Sequence, residues 1–166
     1  MTSRASAMES EAYRRLADDF PAPVAVLATR VGRWDLVTTI DSFLDVSYDP
    51  PTMLVSLYGD SRAAEALAER GTCALSVLAA NQQHLAERYG EPGLPLQGML
   101  EGVEHARDAA GNALLTGAIT HFSLRLDAVH EAATHHLAVC RVSAASSGSG
   151  TSPLVRFAKQ YSGLAR

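Results

Sequence analysis

The sequence predicts a mostly β domain of the α+β class, built as an antiparallel barrel decorated by helices. Strand patterns outnumber helical ones, and the connections between neighbouring strands are short and hairpin-like. Strands and helices also fail to alternate regularly enough for a doubly wound parallel sheet. With 166 residues the chain has the length of one domain and can bury one sizeable core. We therefore predict a single domain over residues 1–166.

The first third of the chain predicts one helix followed by three strands. Apolar residues recur every fourth position between 8 and 20, which indicates an amphipathic N-terminal helix within residues 1–20. Apolar runs at 24–30 and 36–46 flank a glycine turn and predict a hairpin of two long strands. After the corner Asp49-Pro50-Pro51, the alternating run at 52–59 predicts a third strand.

The remainder predicts two helices and a further set of strands. Residues 60–71 begin with a Ser or Asp N-cap and end in glycine, and residues 81–90 follow a similar pattern. Further strands are expected at 72–80, 119–130 and 135–145, with a last extended segment at 154–164. Residues 144–153 are rich in Ser and Gly and predict a flexible loop.

Charge and hydropathy exclude several classes of protein. The formal net charge is -4 and no Lys/Arg run occurs, so no nucleic-acid partner is expected. No apolar run approaches the roughly 18 residues of a membrane span, so we expect a soluble protein without a membrane partner. The N-terminus lacks the apolar core of a secretory signal, which leaves the cytoplasm as the expected compartment.

The usual entry points of metal, thiol and nucleotide chemistry are missing. Cys73 and Cys140 lie far apart without a CxxC motif, so we expect two reduced thiols that pack as small hydrophobic groups. Side chains of adjacent strand residues point to opposite faces, so His135 and His136 do not share a metal ion, and no metal site is predicted. The chain contains no GxGxxG fingerprint between a strand and a helix, no P-loop and no GxSxG elbow.

Several segments together carry a resemblance to a known family. They are VAVLAT, TTIDSF, VSYDPP, SRAA, CALSVLAA, HHLAVCRV and PLVRFAKQY, in this order along the chain. In this order they resemble the flavin reductase-like family, whose fold is the FMN-binding split barrel. The most specific element is a TxxSFxxVSxDPP segment followed by Ser-Arg at the start of the next helix. The resemblance extends over roughly residues 20–164.

The resemblance implies a site for FMN or FAD, with NAD(P)H as the co-substrate. Thr39, Ile40, Asp41, Ser42 and Phe43 would line the isoalloxazine ring. Asp45, Val46 and Ser47 would face the ribityl and phosphate side, and Ser61, Arg62 and Ala63 would bind the phosphate. A helix N-terminus with an arginine independently favours a phosphate. His135 would lie near the nicotinamide and the flavin. Family members typically form homodimers and often pass reduced flavin to a partner monooxygenase.

Departures from the family pattern argue against tight flavin binding. Val37 replaces a glycine, Asp41 an asparagine, Asp45 a serine, Ala63 a threonine and Cys140 a glycine. A carboxylate about 6 Å from a unit charge costs on the order of 3 kcal/mol at an effective dielectric constant near 20. Such a cost at the phosphate would lower flavin affinity about a hundredfold or more, and Asp41 would oppose negative charge on the reduced ring.

The two carboxylates also have an alternative explanation. Each could turn outward, pair with Arg30, Arg33 or Arg62, or accept a local backbone N–H in an Asx turn.

Hypotheses of different class therefore stand at this point. In the first, the protein is an NAD(P)H-dependent flavin reductase whose product serves a monooxygenase. In the second, the barrel has lost or demoted flavin, and Asp41, Asp45 and His135 act as general acid and base on another small-molecule ligand. Such chemistry would isomerise, cyclise or dehydrate a metabolite. A non-catalytic binding or sensory subunit is the third.

Overall fold

The computed structural model describes residues 9–165 as a sheet-rich domain with three helices. The helices are α1 (Ser10–Ala17), α2 (Arg62–Arg70) and α3 (Gln83–Gly90), and a 3₁₀ turn (Ala80–Gln82) precedes α3. The strands are β1 (Ala22–Pro23), β2 (Ala25–Val31), β3 (Trp34–Ile40), β4 (Phe43–Tyr48), β5 (Pro51–Tyr58), β6 (Thr72–Val77), β7 (His105–Arg107), β8 (Ala113–Leu115), β9 (Thr120–Ala132), β10 (His135–Ser147), β11 (Leu154–Phe157) and β12 (Gln160–Gly163). No helix among residues 9–165 is long and apolar enough to cross a membrane.

One seven-stranded sheet dominates the fold. Its strand order is β3-β2-β6-β9-β10-β5-β4, and every pairing in it is antiparallel. A second sheet has the order β1-β11-β12, and β7 pairs with β8 in a separate hairpin. This topology confirms the predicted mostly β, antiparallel class with helices.

The core packs against both faces of the central strands. Val24, Val26 and Ala28 belong to a cluster that includes α3, whereas Ala25 and Leu27 belong to a cluster that includes α2. A strand covered on both faces needs apolar residues at consecutive positions, and this accounts for the continuous run at the start of β2. On β5, by contrast, only the face carrying Met53, Val55 and Leu57 is buried, as its alternating pattern predicts.

The two cysteines are buried within the first of these clusters. Cys73 and Cys140 are both free thiols, as expected from their spacing. A hydrogen bond to Cys140, together with complete burial, raises the pKa of the Cys73 thiol well above its usual value. Cys73 therefore stays protonated and packs as a small hydrophobic group.

The N-terminal helix forms, but its apolar face is not covered by the domain. α1 has no buried residue, and Leu16 and Phe20 are 65% and 76% exposed. Met8, the first of the four predicted apolar positions, lies outside the described residues. A hydrogen bond from the Ala158 amide to the Asp18 carbonyl (2.8 Å) and an ion pair from Arg156 Nη1 to Asp18 Oδ1 (3.6 Å) attach the segment after α1 to β11 and its turn.

The expected single strand over 36–46 is wrong, because the chain turns a corner at Asp41 and Ser42. β3 ends at Ile40 and pairs with β2, whereas β4 begins at Phe43 and pairs with β5. The Ser56 amide donates to the Ser42 carbonyl (2.9 Å) and holds the corner. One apolar run therefore supplies the two edge strands of the sheet.

The expected loop at 144–153 is replaced in its first part by strand. β10 continues to Ser147 and pairs with β9 up to Thr120. Beyond it, the Gly148 and Gly150 amides donate to the carbonyls of Ile119 (2.8 Å) and Ala118 (2.9 Å). A Cβ at Gly148 would lie 1.9 Å from the Ala118 carbonyl oxygen. Gly148 thus permits a close backbone approach, a role that its Ser- and Gly-rich surroundings had concealed.

Helix α2 follows its sequence signals closely. Ser61 is the N-cap, and its Oγ accepts a hydrogen bond from the Ala64 amide (3.1 Å). Gly71 ends the helix with φ = 72°, in the left-handed region that glycine adopts without strain. Ala63, Ala66 and Leu67 turn inward, so the cap fixes where a buried helix begins.

Replacing Gly148 tests the close approach of the two backbones. We expect Gly148→Ala to lower the free energy of unfolding by about 2–3 kcal/mol, because the new methyl group overlaps a backbone oxygen. Urea unfolding followed by circular dichroism gives this value. Gly90→Ala is the matched control, since a Cβ there meets nothing within 4 Å, and its effect should stay within about 1 kcal/mol. Equal stability of Gly148→Ala and the parent chain would contradict this packing.

Replacing Ser61 tests the helix cap separately. Ser61→Ala removes the acceptor for the Ala64 amide and should cost about 1 kcal/mol in the same unfolding experiment. Ser61→Asp should retain the parent stability, because aspartate caps as well as serine and its charge suits the positive end of the helix dipole. Equal losses in both variants would show that Ser61 stabilises the fold by something other than its cap.

Candidate functional site

A cleft lies where the end of β3, the end of β5 and the start of α2 meet. It consists of three adjoining pockets of about 200, 250 and 300 Å³, and Thr39 lines all three. Small-molecule sites in proteins usually have roughly 300–1,000 Å³, and the volumes of the three pockets together fall within this range. We call this region the Thr39 cleft.

The structure brings eight of the twelve predicted site residues to this cleft. They are Thr39, Ile40, Asp41, Ser42, Ser61, Arg62, Ala63 and His135. The remaining four, Phe43, Asp45, Val46 and Ser47, lie on β4 beyond the corner. The predicted residues therefore fall into two groups, one before and one after the corner at which the chain passes from one edge strand of the sheet to the other.

The start of α2 supplies the groups that suit an anion. The amides of Arg62 and Ala63 lie in the first helical turn and have no intrahelical acceptor. These amides and the helix dipole make the N-terminal end of α2 electropositive. Arg62 also lines the pocket at this end, and its Nη2 donates to the Leu94 carbonyl (2.6 Å). This contact also holds the loop after α3 against the start of α2.

The last residues of β3 form the inner wall of the cleft. Ile40 is buried, and the Thr39 Oγ1 donates to the carbonyl of Ala86 in α3 (2.7 Å). This bond fixes α3 against β3 and shapes the pockets on either side of Thr39. The Thr39 hydroxyl proton is therefore committed to the fold, and only its oxygen lone pairs remain for a ligand.

Asp41 is neutralised by a residue from the far end of the chain. Arg156 Nε lies 2.6 Å from Asp41 Oδ2, and the Ser42 Oγ donates to Asp41 Oδ1 (3.2 Å). None of the three expected partners, Arg30, Arg33 and Arg62, forms this ion pair. Arg30 lies 3.9 Å from Asp35, Arg33 stacks on Trp34 and Arg62 bonds Leu94, because the hairpin directs the first two away from the corner.

His135 lies at the mouth of the cleft beside a residue that the sequence did not single out. It pairs across the strands with Tyr58, and the two ring centroids are 5.9 Å apart in an edge-to-face arrangement. Thr134 Oγ1 lies 3.0 Å from His135 Nδ1, and the Tyr58 hydroxyl donates to Asp60 Oδ2 (3.3 Å). Tyr58 is on the face of β5 opposite the buried one, and that alternation was the available signal.

Two further tyrosines line the cleft without having been predicted there. Burial raises the pKa of the Tyr161 hydroxyl, with Arg156 opposing the shift, and burial likewise raises the pKa of Tyr89. The Tyr89 hydroxyl donates to the Met99 carbonyl (2.8 Å). Both phenols are therefore neutral near pH 7, and Tyr161 gives the pocket beside Asp41 a neutral hydrogen-bonding group.

The structure does not bring Asp45 to the start of α2, where a phosphate was expected. Asp45 pairs with Met53, whereas α2 begins after Tyr58, five residues further along β5. At about 3.3 Å per residue this separation is about 17 Å. Because β4 runs antiparallel to β5, each step beyond the corner moves a residue further from α2. Two unit charges about 17 Å apart in water interact by only about 0.2 kcal/mol, and salt screens them further.

The acid–base constellation of the second hypothesis is therefore not assembled. Asp41 and His135 line the Thr39 cleft, but Asp45 does not, and Asp41 is paired with Arg156. Phe43, Asp45 and Ser47 instead line a separate, largely apolar pocket of about 820 Å³ between β4, β5 and β10. Val46 is exposed on β4.

Comparisons with known proteins show the family of the chain. The family described as flavin reductase like domain matches residues 16–165. The chain is 30% identical over its full length to FMN reductase (NADH) RutF 2 of Methylorubrum extorquens strain PA1, covering 96% of that protein. It is 27% identical to HsaB, the reductase subunit of a flavin-dependent monooxygenase from Rhodococcus jostii strain RHA1, over 96% of this chain and 80% of that protein.

A solved structure supports the same assignment. The fold superposes with a TM-score of 0.88 on BorF, the flavin reductase component of a bacterial two-component tryptophan halogenase. That pair shares 31% identity over 95% of this chain and 99% of the other. The fold is thus the split β-barrel that the sequence resemblance implied. Because the family match spans nearly the whole described chain, the protein belongs to the flavin reductase-like family.

Proposed function

We propose that this protein is an NAD(P)H-dependent flavin reductase that binds FMN or FAD in the Thr39 cleft. One observation carries the proposal: the electropositive start of α2 opens into the same cleft as the exposed edge formed by Tyr58 and His135. A cleft with an anion site at one end and half-exposed rings at the other suits a flat ring joined to a phosphate.

The residues present fit a flavin. The free amides of Arg62 and Ala63, with the Arg62 guanidinium, match the acceptor oxygens of a phosphate. Hydroxyl groups of Ser42, Ser56 and Ser61 line the cleft between this end and the corner. The Asp41 charge, which would oppose a flavin, is balanced by Arg156 at 2.6 Å.

The protein's contribution is to bind, orient and shield. A bound flavin would supply the redox chemistry by accepting hydride from NAD(P)H. In this proposal α2 fixes the phosphate end, β3 and the corner contact the ring, and His135 borders the place where nicotinamide approaches. His135 is exposed, and its Nδ1 lies within hydrogen-bond distance of Thr134 Oγ1. It is therefore suited to orient a second substrate at the surface.

The proposed product is reduced flavin for a partner monooxygenase. HsaB and BorF are, by their names, reductase components of flavin-dependent two-component systems. The open Thr39 cleft would let the reduced flavin leave for such a partner. A reductase that draws on cellular NAD(P)H would operate in the cytoplasm, the compartment expected from the sequence.

We also propose that the protein forms a homodimer through β4. β4 is an edge strand of the main sheet, and it exposes Leu44, Val46 and Tyr48 beside the apolar pocket of about 820 Å³. An uncovered edge strand with apolar side chains favours association with another chain. A second copy would cover these side chains and the unpaired backbone groups of β4.

The phosphate site can be tested by comparing FMN with riboflavin, which lacks the phosphate. We expect FMN to bind the parent chain at least about tenfold more tightly than riboflavin in a flavin fluorescence titration. Ser61→Asp should remove most of this preference, because it keeps the helix cap but adds a carboxylate beside the phosphate. FAD is titrated in parallel, and oxidation of NADH and of NADPH is followed by absorbance.

Asp45→Ser is the matched control for this experiment. It removes a carboxylate about 17 Å from α2, so its FMN affinity should stay within about twofold of the parent value. Failure of FMN, FAD and riboflavin to bind at tens of micromolar would refute the reductase proposal. Equal binding of FMN and riboflavin would leave a flavin site but refute a phosphate contact at α2.

The proposed dimer can be tested by placing a charge on β4. We expect the parent chain to have twice the monomer mass in light scattering coupled to size-exclusion chromatography, and Val46→Glu to shift it towards the monomer. Val129→Glu is the control, because Val129 is comparably exposed (42% against 53%) but lies on β9. A monomeric parent chain, or a dimer that survives Val46→Glu, would contradict this interface.

A further inference from the structure

The ion pair between Asp41 and Arg156 lies between two pockets of the Thr39 cleft. Asp41 lines both the pocket that contains His135 and the pocket that contains Tyr161, whereas Arg156 lines only the latter. The two side chains are 32% and 31% exposed, so neither is buried in the core. Both side chains line the cleft and are partly exposed, and Arg156 Nε, the atom nearest Asp41, is buried.

Strand pairing and a second ion pair hold Arg156 in place beside Asp41. It lies on β11, where it pairs with Tyr161 on one side and Ala22 on the other. Its Nη1 also lies 3.6 Å from Asp18 Oδ1, and Lys159 Nζ lies 3.2 Å from Asp18 Oδ2. Asp18 is only 15% exposed, and it contacts the guanidinium through a different nitrogen from the one that faces Asp41.

The four side chains form an alternating series of charges. In the order Lys159, Asp18, Arg156 and Asp41, each charge lies beside one of opposite sign. Only Asp41 reaches the part of the cleft that contains His135. Without Arg156, an uncompensated carboxylate would face the ligand there. With Arg156, the boundary between the two pockets offers an acceptor beside a donor and no net charge.

We propose that Arg156 is a positioning and specificity-determining residue, which neutralises and orients Asp41 so that the pair reads the pyrimidine edge of the flavin ring. This edge presents carbonyl acceptors on either side of an N–H donor. A carboxylate can accept from the N–H group, and a guanidinium can donate to a carbonyl. The inference rests on the proposed function, because it assumes that flavin binds in the Thr39 cleft.

The role of Arg156 makes a prediction about its dependence on Asp41. Arg156→Gln should weaken FMN binding about tenfold when residue 41 is Asp, because the carboxylate is then unbalanced. In the Asp41→Asn background no carboxylate needs balancing, and glutamine keeps an N–H donor for a flavin carbonyl, so the same substitution should change the affinity by less than about twofold. Arg156→Lys keeps the charge without the planar fork and should retain most of the affinity.

The reduction potential of bound FMN gives a readout that a merely structural role would not move. An unbalanced carboxylate opposes the negative charge of the reduced ring more than the neutral oxidised ring. If the reduced form loses a further tenfold in affinity, the midpoint potential of bound FMN in Arg156→Gln falls by about 30 mV. Asp41→Asn combined with Arg156→Gln should restore the parent potential.

The controls separate this proposal from its alternatives. Arg141→Gln breaks a comparably exposed Arg–Asp ion pair, with Asp127 at 3.2 Å, outside the Thr39 cleft, and should change neither FMN affinity nor potential. An equal loss of affinity from Arg156→Gln in both backgrounds, or no loss in either, would overturn the pairing. If the parent chain binds no flavin, the proposed function fails together with the inference. If it binds flavin but shows no coupling, only the inference fails.

Discussion

The corner at Asp41 and Ser42 is the constraint on which the rest of the site depends. Before it the chain pairs with β2 at one edge of the sheet, and after it the chain pairs with β5 at the other edge. The hydrogen bond from the Ser56 amide to the Ser42 carbonyl fixes this crossing. Residues before the corner therefore face the start of α2, and residues after it extend away along β4.

The electrostatic effect of the two carboxylates on a ligand depends on where this geometry places them. At about 6 Å from a phosphate, Asp45 would oppose binding by several kcal/mol at moderate dielectric, but at about 17 Å its effect nearly vanishes. Asp41 stays in the cleft but is paired with Arg156. The sequence feature that argued most strongly against flavin thus loses its force once positions are known.

Local patterns predicted the elements well and the long-range contacts poorly. The alternation on β5, the Ser61 cap and the Gly71 stop all follow from interactions within a few residues, and all were predictable. The break in the run over 36–46 follows from pairing with two different strands, which no local period records. The sequence predicted a flexible loop around Gly148. Its close approach to Ala118 involves a segment thirty residues earlier, which local composition does not indicate.

The residues of the candidate site show the same difference between local signals and long-range contacts. The position of Ser61, Arg62 and Ala63 at a helix start was predictable, because cap signals act within a few residues, and their expected affinity for an anion follows from that position. Arg156 was not predictable, since nothing near it or near Asp41 in the sequence indicates that β11 passes the corner. Tyr58 carried a weak signal in its exposed alternation, but that pattern is shared by ordinary surface residues.

The Asp41–Arg156 pair illustrates why a weak interaction can still govern a site. An ion pair with each partner about one third exposed contributes only about 0–1 kcal/mol to folding, so fold stability gives little reason for its presence. Its effect on a ligand differs, because a bound ring would exclude water from the carboxylate and strengthen every charge around it. In the proposed site, the same two side chains that barely affect unfolding would set the local charge that a flavin meets, and β11, Asp18 and the corner serve to keep them together.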